Sequence, residues 1–245
     1  MALSKAGLLA KLTEWGIAHE TIEHAPSATC ELHSQNLKGT PFEKFTSKGQ
    51  AKNLFFKVPS GGGPLKNRLF LVCALVDTVV DNKVLSARLG IKASAPLRLA
   101  ADDVFDAVLQ LPKGSVNPFA MAQSSCNEVT LLLDDQFLQS ERLLFHPMQN
   151  DFTTALAPEQ LKVFLERAAP SRYAFVDLAS DAPLQLPGAG GGGAPAAAKR
   201  EEAPKATAVA TAVAEHKNAA GWWSPPWLEK PIYTEHQRMV KAFGY

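Results

Sequence analysis

The residues of this 245-residue chain whose types can do chemistry fall in three short segments. The first is Ala51-Lys52-Asn53-Leu54-Phe55-Phe56, where a lysine and an amide side chain open an apolar strand. A cation at that position sits at the edge of a core, where it can meet an anion. The second is Gly114-Ser115-Val116-Asn117-Pro118, a glycine and a proline bracketing three residues after a helix. Such a loop can turn its backbone N–H groups onto a ligand. The third is Phe145-His146-Pro147-Met148-Gln149-Asn150, where a histidine ends a strand just before a proline. On residue types alone each has a plain reading too. Lys52 can be a solvated flank, residues 114–118 a surface turn, and His146 a structural histidine. No GxSxG, Walker GxxxxGK[ST], HExxH or GxGxxG pattern is present, and neither Ser60-Gly-Gly-Gly-Pro64 nor the glycine run at Gly188 lies between a buried strand and a helix.

The elements that must position these residues follow from the apolar pattern. Ser4 precedes the stripe Leu8, Leu9, Leu12, which runs to Trp15 and stops at Gly16, an N-capped helix with a glycine end. Residues 19–23 read as a short strand. Residues 50–58 and 68–80 are apolar enough to be strands buried on both faces, with residues 60–67 as a hairpin-like loop between them. Residues 82–89 read as a helix ending at Gly90, 97–99 as a strand, and 101–109 as a helix with Asp102 and Asp103 in its first turn. Strands follow over 128–133, 143–145 and 151–156, with a helical turn at 135–138. A helix with proline at its start covers 158–168, and a last strand 173–178. The fold class is therefore α/β in the mixed α+β sense, one domain over 1–186 with a mixed, largely antiparallel sheet and surrounding helices.

Beyond that the composition changes. Pro187–Pro195 reads PGAGGGGAP, and the Ala-rich stretch to Ala220 is interrupted by Pro204. Residues 187–220 are expected to be a flexible linker. Residues 221–245 carry Trp222, Trp223, Trp227, Tyr233, Phe243 and Tyr245, large anchors of the kind used in partner docking. Lys and Arg number 25 against 24 Asp and Glu, so a strongly basic nucleic-acid binder is excluded, though not a local basic face. Lys44, Lys48, Lys57, Lys66 and Arg68 are candidates for such a face around Lys52. Three scattered cysteines, Cys30, Cys73 and Cys126, argue against a disulfide framework or a cysteine zinc site and for a reducing compartment. The amino-terminal stretch lacks the apolar run of a signal peptide, and no segment has the roughly 20 apolar residues of a membrane span. The expectation is a cytoplasmic protein with no membrane contact.

Taken together, KNLFF, GSVNP, FHPMQN and the closing YAFVDL, in this order and spacing, resemble the YbaK-like, prolyl-tRNA synthetase-associated editing family. ETIEHAPSAT, LSARLGIKASAPLRLA and LLLDDQFLQSERLLFHP extend the likeness from Leu3 to Leu178. The resemblance implies hydrolysis of a wrong amino acid from proline tRNA, and Lys-Asn-Leu-Phe is similar to the alanine-removing branch. The cysteine-removing branch and a non-catalytic tRNA-binding subunit are the alternatives. It implies Lys52, His146 and Gly114 as catalytic, and Asn53, Ser115, Val116, Asn117, Pro118 and Asn150 as substrate-binding. Hydrolysis of an already labile ester needs no covalent nucleophile, metal or cofactor. The partners implied are the acceptor end of proline tRNA and, through the aromatic segment, an aminoacyl-tRNA synthetase or its complex.

Overall fold

The computed structural model describes residues 2–187. The linker expected over 187–220 and the aromatic segment 221–245 lie outside them, apart from Pro187. Helix α1 (Lys5–Glu14) starts where expected, with the Ser4 hydroxyl accepting from the Gly7 N–H. Strand β1 (Glu20–Glu23) follows, then α2 (Cys30–Asn36), capped by Thr29. A short α3 (Thr46–Gly49) leads into β2 (Ala51–Lys57), which turns through the 60–67 loop into β3 (Leu69–Leu75). Helix α4 (Asn82–Arg88), β4 (Arg98–Leu99) and α5 (Asp102–Leu109) come next. Then β5 (Val129–Asp134), β6 (Leu143–Phe145), β7 (Phe152–Leu156), α6 (Pro158–Ala168) and β8 (Tyr173–Val176) complete the fold.

The strands form two sheets, where the pattern suggested one. The larger has the order β4-β2-β3-β5-β8, and the smaller β1-β7-β6. Within the larger, β2 pairs antiparallel with β3 and β4, while β3–β5 and β5–β8 are parallel. The smaller is antiparallel throughout. Mixed α/β with mainly antiparallel pairing is the result, as expected.

Alternation along β3 divides the core. Leu71 and Cys73 face one side with Phe55, Leu131 and Leu133, under Leu8 and Leu12 of α1 and Leu161, Phe164 and Leu165 of α6. Phe70, Val72 and Ala74 face the other side with Phe56 and Leu132, under Leu85 of α4. This is why β3 and β5 read as unbroken apolar runs. A third, smaller cluster joins Leu37, Phe42, Leu144 and Ala155 behind the three-stranded sheet. Among the described residues no helix is long and apolar enough to cross a membrane.

Strand β3 ends at Leu75, not at Val80. The buried Asp134 carboxylate accepts from the Leu75 N–H at 3.2 Å and from the Thr78 hydroxyl, which folds residues 75–78 into a turn. Besides a shared core, the two sheets are joined by a parallel backbone bridge between Gln50 and Leu144. Just before it, Gly49 lies against the backbone of the other sheet. A Cβ built there would stand 2.0 Å from the Arg142 carbonyl oxygen. Neither backbone can retreat without opening the junction. Gly49→Ala is therefore expected to lower unfolding stability by about 1–3 kcal/mol, read as a reduced urea midpoint with unchanged slope. An unchanged midpoint would show that the junction is looser than described.

Candidate functional site

The site forms where the two sheets meet. Lys52 lies two residues beyond Gln50, and His146 two residues beyond Leu144, the two bridged positions. The contact is parallel, so both chains run forward from the bridge in the same direction. The Lys52 ammonium donates to the Val76 carbonyl at 2.8 Å. Val76 is itself held by its N–H to the Gln50 carbonyl at 3.0 Å, and lies in the turn that Asp134 closes. Asp134 has no exposed surface and also accepts from the Gln136 N–H through Oδ1. The cation is thus placed by a buried anion acting through one turn of backbone.

Gly114 has φ +89°, a conformation that favours glycine. What approaches it is the protein's own chain. An added Cβ would lie 3.1 Å from the Ala28 Cα and 3.3 Å from its carbonyl oxygen. The glycine therefore lets the 114–118 loop pack on the segment after β1. The rest of the loop is not a surface turn. Ser115 and Asn117 are buried, and Val116 packs into the main core. The Asn117 amide donates to the Ser115 and His146 carbonyls, and its Oδ1 accepts from the Phe119 N–H at 2.8 Å. With both amide hydrogens taken by protein carbonyls, Asn117 joins two segments and is not available as a donor to a ligand. Pro118 starts the short 3-10 turn Pro118–Ala122, whose Phe119 packs edge-on against Phe145 at 5.6 Å.

Three histidines surround the junction, of which the sequence reading named one. His33 of α2, His146 and His24 lie with ring centroids 4.5 to 5.8 Å apart. The hydrogen-bond partners point to which ring nitrogen carries the proton. His146 Nδ1 lies 2.8 Å from the Phe152 carbonyl, so it carries the proton and Nε2 keeps a lone pair. His24 Nδ1 lies 2.7 Å from the Ala25 carbonyl and is protonated likewise. His33 Nδ1 instead faces the Gln50 side-chain amide at 2.9 Å, so its proton is on Nε2. That N–H donates to Thr153 Oγ1 at 2.7 Å, and the Thr153 hydroxyl donates on to His24 Nε2, also at 2.7 Å. Burial, reinforced by the two neighbouring rings, pushes the His33 imidazole down to about 3. Burial lowers His146 as well, against the Phe152 carbonyl acting in the other direction.

The remaining candidates divide. Asn53 follows Lys52 on a strand and so faces the opposite side of the sheet, the side of Phe55 and the 114–118 loop. Its Oδ1 and the Ser115 Oγ are buried with no protein partner. The Asn150 carbonyl accepts from the Ser27 N–H, and the Asp151 carbonyl from the His24 N–H, which ties the segment after His146 to the segment after β1. Met148, between them, has φ +68°, a cost of order 1–3 kcal/mol for a non-glycine residue. The five basic residues do not form one face. Lys57, Lys66 and Arg68 sit at the far end of the hairpin, five residues or about 17 Å of strand from Lys52. Lys44 and Lys48 alone lie at the junction end.

Sequence reasoning missed Gln50, His24, His33, Thr153 and Asp134. His24 and Asp134 lie within stretches that carried the resemblance, but nothing in their spacing marks them. His33 and Thr153 are 120 residues apart.

His33 gives the site a pH signature. His33 is held neutral in the fold, whereas the unfolded chain takes up a proton below about 6.5. The stability this provides is whole above that value, falls as pH drops, and stops falling near about 3. Between pH 7 and 5 the protein is expected to lose roughly 2 kcal/mol more than His33→Gln. Urea unfolding of both, in EDTA at the two pH values, checks it. Equal losses would contradict the neutral assignment.

Comparison with known proteins gives a consistent picture. Residues 24–164 match the family model described as the aminoacyl-tRNA editing domain. The chain is 29% identical over 160 residues to the prolyl-tRNA editing protein ProX of Acetoanaerobium sticklandii, covering 65% of this chain and 88% of that one. It is 30% identical over 167 residues to the prolyl-tRNA synthetase associated domain-containing protein 1 of Bos taurus, covering 66% and 88%. In fold it is similar to the crystal structure of hypothetical protein APE2540, with a TM-score of 0.50 at 16% identity over 70% of this chain and 98% of that one.

Proposed function

The chain belongs to the aminoacyl-tRNA editing domain family, and on that premise we propose that it is a trans-editing hydrolase that releases alanine from mischarged proline tRNA. The observation that carries the reading is the buried Asn117. Its side chain fastens the 114–118 loop to the His146 carbonyl, which supports reading two motifs distant in sequence as parts of one site.

The ester linking an amino acid to the terminal ribose is already labile. What the protein must supply is a fixed pose, a place for developing negative charge, and a water. Lys52 supplies a cation for the terminal phosphate or the oxyanion. His146, neutral with its lone pair on Nε2, accepts from the α-ammonium group or a ribose hydroxyl. Asn53 and Ser115, on the loop side of β2, are the further candidates for contacts to the bound ribose and amino acid. Alanine is smaller than proline, so a pocket of its size rejects the correctly charged tRNA by steric conflict. Lys44 and Lys48, at the junction end, are suited to phosphates of the acceptor stem. A docking role for residues 221–245, toward a synthetase or its complex, belongs to the same reading.

The test is deacylation of proline tRNA charged with alanine, cysteine or proline by the purified chain. Alanine should be released and proline retained. Preferential release of cysteine would assign the cysteine branch, and release of none would leave a tRNA-binding subunit. Lys52→Ala should lower kcat/KM by about 10²–10³, the effect of removing one oxyanion-stabilising group, with the melting temperature held. Wild-type rates in that variant would remove Lys52 from the mechanism. A chain ending at Leu186 keeps every proposed site residue and should deacylate as the full chain does, while losing recovery of a partner in pull-down. Lost hydrolysis in the short chain would place the tail in the reaction.

A further inference from the structure

Three imidazoles from three separate elements converge beside the proposed site, and a lysine, a loop and a single histidine suffice for the deacylation chemistry above. His24 follows β1, His33 lies in α2, and His146 follows β6. One ring nitrogen from each lies within 4.8 Å of those of the other two. We propose that His24, His33 and His146 form a binding site for a divalent transition-metal ion of the zinc type.

The donor set and its surroundings fit that ion. Neutral imidazole suits zinc, cobalt, nickel and copper, whereas magnesium and calcium take oxygen ligands. A metal-bound histidine ordinarily donates its other ring N–H to a carbonyl or carboxylate, which fixes the ring and aims the lone pair. Two of the three rings are already arranged this way, His24 through the Ala25 carbonyl and His146 through the Phe152 carbonyl. The third, His33, meets the Gln50 side-chain amide. To ligate through Nε2, His33 carries its proton on Nδ1 and the Gln50 amide turns Oε1 toward it, giving up its donation to the Cys30 carbonyl. At a zinc–nitrogen distance of about 2.0–2.1 Å, neighbouring ligands of a tetrahedral site stand about 3.4 Å apart. The rings therefore close inward by an ångström or so. The ion takes over the place of the Thr153 hydroxyl, which now bridges His24 and His33 at 2.7 Å to each. His24 and His146 are half-buried, so one side of the site opens to solvent and gives the ion a path and a free coordination position.

An ion held here takes the Nε2 lone pair of His146. On the deacylase reading of the preceding subsection, and resting on it, zinc is then an inhibitor of hydrolysis. Metal binding itself does not depend on that reading.

The test uses the full chain stripped with EDTA and titrated with Co²⁺, then Zn²⁺. The visible bands of a four-coordinate cobalt ion should appear, saturate at one ion per chain, and vanish when zinc displaces it. His24→Ala alters a half-exposed residue at a strand end, and should lose the bands and bind zinc at least about tenfold more weakly by calorimetry. His19→Ala should bind as the wild type does. Thr153→Val keeps all three rings but leaves two nitrogens without a partner, so zinc should raise its melting temperature more than that of the wild type. Absence of cobalt bands in the wild type overturns the proposal. So do equal affinities in wild type and His24→Ala, which would put the ion elsewhere on the chain. None of these readings uses charged tRNA, so an inactive protein that binds cobalt through His24 would overturn the deacylase and leave the metal site standing.

Discussion

One buried amide carries the junction on which the site depends. Gln50 is 3% exposed and uses both ends of its backbone and side chain. Its main chain bridges to Leu144 of the smaller sheet, and its carbonyl accepts from the Val76 N–H. Its side-chain NH₂ group donates to the Cys30 carbonyl and to His33 Nδ1, while its Oε1 accepts from the Ser34 hydroxyl. Two sheets, helix α2 and the turn behind Lys52 are thereby referred to a single residue. A buried amide is costly unless every polar atom finds a partner, and a partly satisfied one is worse than an apolar group. That penalty makes the arrangement specific. A slip of β2 by one residue would strand the amide and turn Lys52 to the other face.

From this junction the chemistry follows by short steps. Lys52 and His146 each stand two residues past the bridge. Lys52 is held in place through Val76 by the buried Asp134, and His146 through its carbonyl by Asn117. His33, fixed by Gln50, passes its hydrogen bond through Thr153 to His24, so the segment after β1 is tied to the same point. Ala28 of that segment closes over Gly114. On the proposed reading the chemistry falls to a few side chains, and their placement is set by backbone carbonyls and by other buried residues. The same imidazoles that join α2 to the segment after β1 are the ligands a transition metal takes.

Much of the fold was legible from pattern alone. Helix α6 begins at Pro158 and ends at Ala168 as read, because proline at its start and a continuous apolar stripe fix both its phase and its bounds. Strands β3 and β5 were readable because burial on both faces leaves an uninterrupted apolar run. The overrun of β3 to Val80 has a definite cause. Val79 and Val80 are apolar, but Asp134, from a distant strand, takes the Leu75 N–H and ends the ladder. Helix α2 was not read at all. Its one buried residue is His33, so no apolar periodicity marks it. Division into two sheets was equally hidden, since the backbone bridge between them rests on a single polar residue, Gln50. At the site, Lys52, His146 and the 114–118 loop were found through their resemblance to a family. Gln50, His33 and Thr153 act only through contacts between remote parts of the chain, and nothing local distinguishes them from surface polar residues. The supposed basic cluster failed for the reverse reason. Residues near Lys52 in sequence are carried away from it at the rise of an extended strand.

The central claim of the proposal is that Lys52 and His146, each two residues past the Gln50–Leu144 bridge, act as one site. The most direct measurement is a double-mutant cycle, with kcat/KM for alanine-charged proline tRNA determined for the wild type, Lys52→Ala, His146→Ala and the double variant. Residues that act as a unit are strongly non-additive. The double variant should be little worse than the poorer single one, with a coupling energy above about 1 kcal/mol. Losses that add to within about 0.5 kcal/mol would mean that the two residues work independently, and would contradict the account.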